Sequence, residues 1–160
     1  PATASTMPDA FTVELWARWA TFPATDYFLG WQDTEGTPAL GISSSKFITY
    51  LGNLNYRFFS ATSPTDGNNV NQWYHLAYTC PGIAQTDINN SAFYVNGKSQ
   101  DIDSTLATGA QRAKTVCTIG KRAAANVFTG DIALFKMFNV VRTAAQIAND
   151  FNQERHLFGV

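Results

Sequence analysis

The sequence predicts an all-β fold, an antiparallel two-sheet sandwich of the jelly-roll kind with one short C-terminal helix. Three observations predict it. Apolar and polar residues alternate along short segments, turn-forming residues separate those segments, and aromatic residues make up 14% of the chain. Alternation with a period of two is typical of half-buried strands. Many short strands with turns between them indicate a sandwich or a jelly roll.

The first strand is predicted between Phe11 and Trp19, where the odd-numbered residues are apolar and share one face. The even-numbered residues, among them Glu14, fall on the other face, so the pattern predicts a strand that is buried on one side. Asn96-Gly97 between two apolar runs is a strong hairpin signal. Further strands are expected at 27–32, 39–43, 47–51, 56–61, 73–79, 91–95, 116–120 and 130–139.

One helix is predicted near the C-terminus. Thr143 is a suitable N-cap for a helix from Ala144 to about Phe151. Ala144, Ile147, Ala148 and Phe151 share one face of this helix. We expect it to plug one end of the sandwich.

Composition limits the classes of function. The 160 residues are enough for one domain, which we expect to span residues 1–160. A net charge of −1 provides no field that would steer nucleic acid or an anionic membrane to the chain. No apolar run approaches the roughly 20 residues of a membrane span, so membrane insertion is not expected. Cys80 and Cys117 leave two alternatives, one disulfide or two free thiols.

Five motifs follow one another along the chain. They are Phe11-Thr-Val-Glu-Leu-Trp, Trp73-Tyr-His-Leu-Ala-Tyr, Phe93-Tyr-Val-Asn-Gly-Lys, Thr118-Ile-Gly, and Phe128-Thr-Gly-Asp-Ile with the helix after Thr143. In this order they resemble the laminin-G-like and pentraxin families of the concanavalin A-like lectin/glucanase superfamily. The resemblance covers most of the chain and implies two curved antiparallel sheets of about six strands each.

Most residues of these motifs are expected to be structural. We expect Trp73 and Phe93 in the core and His75 as a buried histidine with satisfied hydrogen bonds. Asp131 is expected to stabilise a turn.

Catalysis is not expected. Glycosidases of this group need two carboxylates a few ångströms apart on one strand face. Glu14 stands alone between apolar neighbours, and Asp101 and Asp103 are interpreted as part of a solvated loop. The sequence contains no nucleophile elbow, phosphate loop or zinc-ligand spacing. It therefore predicts a protein that is not an enzyme.

The resemblance also implies ligand binding at loops on one rim, often through calcium, which takes about six to eight oxygen ligands. Asp33 fits such a site, whereas Asn53 and Asn55 offer neutral oxygens. Where pentraxins carry their richest run of acidic ligands, this chain has Lys121 and Arg122, which would oppose a divalent ion. We therefore expect no cofactor, or at most one weakly bound calcium at Asp33.

The same loops suggest a sugar site. Sugar recognition uses amides and carboxylates for hydroxyl groups and an aromatic ring for the apolar sugar face. The candidate ligand-binding residues are Trp31, Asp33, Glu35, Asn53, Asn55, Tyr56, Arg57, Lys121, Arg122 and Asn126, with Tyr50 as a further aromatic residue. We expect Asn53 and Arg122 in exposed loops. Alternatively, Asp33 and Glu35 pair with Lys121 and Arg122 as surface ion pairs.

The sequence thus favours a non-catalytic, lectin-like domain that binds a glycan or glycoprotein at a loop rim and works outside the cell. The alternative is a protein-binding, adhesion or assembly module of the laminin-G type. An oligomer is compatible with both. Fold alone does not choose between them.

Overall fold

The computed structural model describes residues 10–21, 25–31, 39–43, 46–52, 55–59, 70–82, 85–108, 117–122 and 127–160. This part of the chain contains eleven strands and one α-helix, α1 (Ala144–Glu154). Short 3-10 helices span Gln85–Asn90 and Arg155–Leu157. The strands are β1 (Phe11–Arg18), β2 (Thr25–Trp31), β3 (Ala39–Ser43), β4 (Lys46–Gly52), β5 (Asn55–Phe59), β6 (Tyr74–Cys80), β7 (Ala92–Val95), β8 (Lys98–Ser99), β9 (Ile102–Ala107), β10 (Cys117–Ile119) and β11 (Asp131–Phe138).

The strands form two antiparallel sheets, which confirms the predicted sandwich. One sheet has five strands in the order β11-β1-β6-β7-β8, and the other has six in the order β10-β2-β3-β4-β5-β9. The sequence does not predict β9. Asp103, expected in a loop, lies in this strand, where it is exposed and pairs with Lys46 at 2.8 Å. The loop interpretation is wrong because a polar edge strand resembles a loop in composition.

Apolar side chains from both sheets meet between them and form the core. The odd-numbered residues of β1 are buried there, as the alternation predicts. Beyond them Trp19 stacks on Tyr74, with ring centroids 5.1 Å apart. Phe93 is in the core as predicted, stacked on Phe47 of the opposite sheet at 4.6 Å. The buried rings therefore tie the two sheets together.

β2 departs from strict alternation. Tyr27 pairs with Gly41 and Leu29 with Leu40, so Phe28 is an extra residue, a β-bulge. As a result, Phe28 and Leu29 both lie in the core between the sheets. Tyr27 belongs instead to a cluster on the outer face of the six-stranded sheet.

The helix α1 covers the outer face of the five-stranded sheet, so the expectation that it plugs one end of the sandwich is wrong. Ile147 packs with Ala77 of β6 and Tyr94 of β7. Phe151 stacks on Trp16 of β1, with ring centroids 6.0 Å apart. The helix settles here because its apolar side meets apolar residues of three neighbouring strands.

The predicted N-cap of α1 is confirmed. The hydroxyl of Thr143 accepts a hydrogen bond from the Gln146 backbone N–H at 3.2 Å, and the Gln146 side chain accepts one from the Thr143 N–H at 2.9 Å. These two bonds form a capping box. Ala144, expected on the buried side, is exposed.

Because the helix lies over it, β1 is buried on both faces, and the expectation of one exposed face is wrong. The Glu14 carboxylate, 1% exposed, lies 3.3 Å from Nε2 of His75 and 3.1 Å from Nε of Arg142. Arg142 also pairs with Asp150 of α1 at 2.9 Å. His75 is thus buried as predicted, but neither of its ring nitrogens makes a hydrogen bond, so the expectation of satisfied hydrogen bonds is wrong. Glu14 does not stand alone.

Lys136 of β11 extends this group of charges. It pairs with Glu154 and lies 3.5 Å from Asp150. The indole N–H of Trp16 donates to the Glu154 carboxylate at 2.8 Å. The buried charge network, as we call it, consists of Glu14, His75, Lys136, Arg142, Asp150 and Glu154. It joins α1, through Asp150 and Glu154 on one side of the helix, to the sheet.

Trp73 is half-buried outside the core, so its predicted core position is wrong. It precedes β6 and packs against Phe158 at 5.0 Å, with the Arg18 guanidinium 5.1 Å from its ring centroid. The core position beside Trp19 is taken by the next residue, Tyr74. Because neighbouring strand residues face opposite ways, one step along the chain moves Trp73 outside.

Asp131 links two strands. It begins β11 opposite Arg18 of β1 and pairs with it at 2.8 Å, so it does not have the expected turn-stabilising role.

Cys80 is buried in β6 and Cys117 is exposed on β10, and the two form no disulfide. Within the described ranges, no helix has the length and apolar character needed to cross a bilayer.

Replacing Glu14 by alanine should destabilise the fold strongly. The change leaves the buried His75 and the half-buried Arg142 without the carboxylate between them, and breaking a buried ion pair costs about 3–5 kcal/mol. Urea unfolding of Glu14→Ala measures the loss. The matched control is Asp103→Ala, which breaks the exposed pair with Lys46 and should cost about 0–1 kcal/mol. Equal, small losses in both variants would show that the network does not hold the helix.

Candidate functional site

The outer face of the six-stranded sheet carries a cluster of aromatic and aliphatic side chains. Three buried and three half-buried residues form it: Tyr27, Ala39 and Ile48, with Tyr50, Tyr56 and Phe58 packed against them. We call Tyr50, Tyr56 and Phe58 the aromatic row. A row of half-buried aromatic rings on a sheet face is the feature of this molecule that calls for a functional explanation.

The strand register produces the aromatic row. Tyr50 of β4 pairs directly with Tyr56 of β5, and their ring centroids are 5.5 Å apart. Phe58 lies two residues along β5 on the same face, with its ring 5.5 Å from that of Tyr56. Tyr27 lies behind the row, with its ring centroid 6.2 Å from that of Tyr50. The face therefore presents contiguous rings at nearly even spacing.

Two glycines allow other groups to lie close to this sheet face. A Cβ at Gly41 would be 2.6 Å from a ring carbon of Tyr27. A Cβ at Gly30 would be 2.7 Å from both the Arg122 Cα and the Lys121 carbonyl oxygen. Such distances exclude a side chain at either glycine without a shift of the backbone.

Arg122 lies on this face, behind the aromatic row. Its guanidinium carbon is 4.0 Å from the ring centroid of Tyr50 and 5.0 Å from that of Tyr27. One terminal nitrogen donates to the Tyr27 hydroxyl at 3.0 Å. The guanidinium thus makes cation–π contacts with two rings and a hydrogen bond with one of them.

Burial of the Tyr50 side chain raises its pKa to about 12. The neighbouring Tyr27 phenol adds to this increase, while the positive charge of Arg122 opposes it. The Tyr50 phenol therefore stays protonated through the physiological range and acts as a neutral hydrogen-bonding group.

The structure brings together Tyr50, Tyr56 and Arg122, three of the residues considered from the sequence. Arg122 was expected in an exposed loop, and this is wrong, because the side chain is 6% exposed. After β10 the chain turns at Gly120, where φ is +80°, and places Lys121 and Arg122 against Gly30. Lys121 is half-buried beside Arg122.

Arg57 lies on the opposite face of the same sheet, away from the aromatic row. Its Nε donates to the Thr105 hydroxyl at 3.0 Å, and a terminal nitrogen donates to the Ser91 carbonyl oxygen at 2.5 Å. Burial lowers its pKa from the usual value. Arg57 thus connects β5 to β9 and to the chain entering β7, a structural role.

The other candidates from the sequence cannot be placed. Asp33, Glu35, Asn53 and Asn126 lie outside the described residues, as do the side chains of Trp31 and Asn55. A rim formed by these residues, or ion pairs of Asp33 and Glu35 with Lys121 and Arg122, stays a prediction.

Tyr27 and Phe58 are site residues that the sequence analysis missed. Phe58 follows Tyr56 by two residues, so the alternation of β5 contained the signal. Tyr27 gave no such signal, because the bulge at Phe28 changes which residues of β2 face outward.

The described residues do not fit a calcium site of the pentraxin type. No group of three His, Cys, Asp or Glu side chains able to hold a metal occurs among them. In the stretch where the resemblance implies acidic ligands, the Arg122 guanidinium is packed on Tyr50. A cation in that position repels a divalent ion.

Two stacked antiparallel sheets, one with aromatic rings on its outer face, define a lectin-like β-sandwich. The family model Laminin_G_3, of the concanavalin A-like lectin/glucanases superfamily, matches residues 1–148. The chain belongs to this family. No curated protein sequence matches it.

Several solved structures share the fold. A protein from Bacteroides ovatus inferred to bind carbohydrate has a TM-score of 0.64 at 18% identity, over 91% of this chain and 43% of that one. A heptameric SAP-like pentraxin from Limulus polyphemus has a TM-score of 0.65 at 16% identity, over 91% and 72% of the two chains. Domain 4 of an extracellular arabinanase from Geobacillus stearothermophilus, in complex with arabinotriose, has a TM-score of 0.59 at 15% identity, over 89% and 66%. At these identities the likeness shows the fold alone.

Alkaline titration should reveal the environment of Tyr50. The difference in tyrosinate absorbance between the wild type and Tyr50→Phe should have its midpoint near pH 12, above the ordinary value of 10.0. Since the folded pKa exceeds the unfolded one, this residue's contribution to stability is complete below pH 10 and declines between pH 10 and 12. A difference midpoint near the ordinary value would contradict the packing of Tyr50 against Tyr27 and Arg122.

Calcium should have little effect on stability. A ligand stabilises a protein by an amount that grows with the logarithm of its concentration over its dissociation constant. The described sheet face has the Arg122 guanidinium where a calcium site needs carboxylates. The melting temperature should change by less than about 1 °C between EDTA and about 5 mM calcium. A rise of many degrees that Asp33→Ala abolishes would establish a calcium site at Asp33.

Proposed function

We propose that this domain binds carbohydrate on the outer face of the six-stranded sheet, through the aromatic row. The single observation that carries the proposal is the run of half-buried rings of Tyr50, Tyr56 and Phe58, with neighbouring centroids 5.5 Å apart. Sugar rings have an apolar face that packs on aromatic side chains. The spacing allows one pyranose or furanose ring to contact two neighbouring side chains.

Polar groups for the sugar hydroxyls lie beside the rings. The phenols of Tyr50 and Tyr56 are both donors and acceptors, and the Tyr50 phenol stays neutral because its pKa is about 12. Ser104 pairs with Phe58 across β5 and β9, and its hydroxyl is exposed. The face thus combines aromatic rings, tilted 53° and 80° to their neighbours, with hydrogen-bonding groups.

The comparisons support this proposal. The arabinanase domain, whose fold this chain shares, was solved with arabinotriose. The Bacteroides protein is inferred to bind carbohydrate, and this chain spans 43% of its length. A glycan or glycoprotein ligand, and with it a location outside the cell, belongs to the same proposal.

We propose binding without catalysis. The Glu14 carboxylate is buried beneath α1 and pairs with Arg142, and Asp150 and Glu154 of α1 pair with Arg142 and Lys136. Asp103 pairs with Lys46, and Asp131 with Arg18. Hydrolysis of a glycosidic bond needs one carboxylic acid and one free carboxylate facing the substrate. These ion-paired carboxylates do not provide that pair on the aromatic face.

A protein-binding or assembly role is the second candidate. It is favoured by Ile119 on the edge strand β10 and Val127 beside it, which are 50% and 53% exposed. Light scattering of the purified protein distinguishes the two roles. A concentration-dependent oligomer that Ile119→Ser dissociates, together with no glycan binding, would favour assembly.

Tyr56→Ala should weaken glycan binding at least about tenfold. It removes roughly 60–100 Å² of apolar contact, worth about 1.5–2.5 kcal/mol at about 25 cal/mol per Å². A glycan microarray identifies a ligand, and calorimetry then measures the affinities of the wild type and the variant. Trp73→Ala, which removes a half-buried ring on the other sheet, is the matched control and should bind normally. Equal affinities for all three folded proteins would place the site elsewhere.

A further inference from the structure

One short motif of the chain lies apart from the aromatic row. Asn89-Asn90-Ser91 has the form Asn-X-Ser/Thr, where X is any residue except proline, and the chain contains this form once. The form is the acceptor signal for N-linked glycosylation in proteins that enter the secretory pathway. So short a signal also occurs by chance, and the placement of its residues in the fold therefore decides what it can do.

The fold presents the Asn89 side chain to solvent. Asn89 lies in the 3-10 helix Gln85–Asn90, on the connection between β6 and β7. The residue is exposed, and no described residue forms a hydrogen bond or an ion pair with its side chain. A bulky oligosaccharide on the carboxamide nitrogen therefore extends into solvent and displaces no contact of the described structure.

The residues on either side of Asn89 hold the motif at this place. Ile88 is fully buried in the core. Ser91 is 4% exposed, its hydroxyl donates to the Ile88 carbonyl oxygen at 2.7 Å, and its own carbonyl oxygen accepts a hydrogen bond from Arg57. Because Arg57 faces away from the aromatic row, the motif is separate from that surface.

Burial of Ser91 restricts when the motif can be modified. The transferase that reads such a motif requires the hydroxyl of its third residue as well as the asparagine. In the folded domain the Ser91 hydroxyl is covered and already hydrogen-bonded. The signal is therefore readable in the unfolded chain, or after this segment has opened locally.

We propose that Asn89 carries an N-linked oligosaccharide, which is attached before Ser91 packs into the core. The co-reactant is a lipid-linked oligosaccharide pyrophosphate. The Nδ2 nitrogen of Asn89 bonds to C1 of the first sugar and loses one proton, while the bond from C1 to the pyrophosphate oxygen breaks and the lipid pyrophosphate leaves. No group is oxidised or reduced. Glycosylation of Asn89 does not depend on the carbohydrate binding proposed above.

The test produces the full chain in eukaryotic cells behind a secretion signal. The wild type should be secreted with added mass, which peptide-N-glycosidase removes while converting Asn89 to aspartate, as peptide mass spectrometry detects. Asn89→Gln should lose the added mass completely. The matched control is Asn90→Gln, which changes the exposed neighbour, keeps the acceptor signal and should remain glycosylated. A wild type without added mass, or an Asn89→Gln variant that retains it, overturns the inference.

A second measurement tests the order of modification and folding. In one arm the chain is synthesised in a cell-free system with microsomes. In the other, folded chain purified from bacteria is added to the solubilised transferase and its lipid-linked donor, whose activity a peptide of residues 86–93 confirms. Occupancy of Asn89 should be at least about tenfold lower on the folded chain, because the segment must first open to release Ser91. Equal occupancy in the two arms would overturn the proposed order.

Discussion

Burial of the Glu14 carboxylate is the constraint on which the rest of the molecule depends. A carboxyl group in the middle of a sheet, out of reach of water, needs polar or charged partners at fixed positions. His75 supplies one contact from the next strand, and Arg142 supplies the other from the segment that leads into α1. The helix is therefore held against the five-stranded sheet. That sheet is covered on both faces, and the outer face of the other sheet is the one on which we propose recognition.

Local features of the fold could be predicted from the sequence, and non-local ones could not. Alternation places the odd residues of β1 in the core, and Thr143 marks the start of α1, because both signals lie within a few residues of chain. The place where α1 packs depends on contacts between residues more than a hundred positions apart, such as Trp16 with Glu154. Such contacts leave no periodic pattern. For the same reason, Trp16 and Glu14 could not be recognised as buried.

At the candidate site, too, the sequence did not predict which way side chains face. Arg57 and Arg122, which are equally buried, illustrate this. In β5 both faces contain aromatic residues, so alternation alone does not say whether Tyr56 or Arg57 faces the core. Arg57 faces inward because Ser91, between the 3-10 helix and β7, offers it a carbonyl oxygen. Arg122 reaches the outer face because the chain turns back at Gly120. The sequence analysis named Tyr50, Tyr56 and Arg122 as candidates but assigned them to an exposed rim, whereas the structure places them on the outer face of the sheet.

The bulge in β2 has a consequence for recognising this site in related chains. Tyr27 and Gly30 are three residues apart, and in a regular strand they would face opposite sides of the sheet. The extra residue Phe28 changes the parity of the strand, so the ring that accepts the Arg122 hydrogen bond and the glycine that admits its backbone share one face. A homologue with a regular strand meets the same requirement when its tyrosine and glycine are two residues apart. An alignment of this chain with such a homologue must therefore allow a one-residue gap inside this strand to match the two positions.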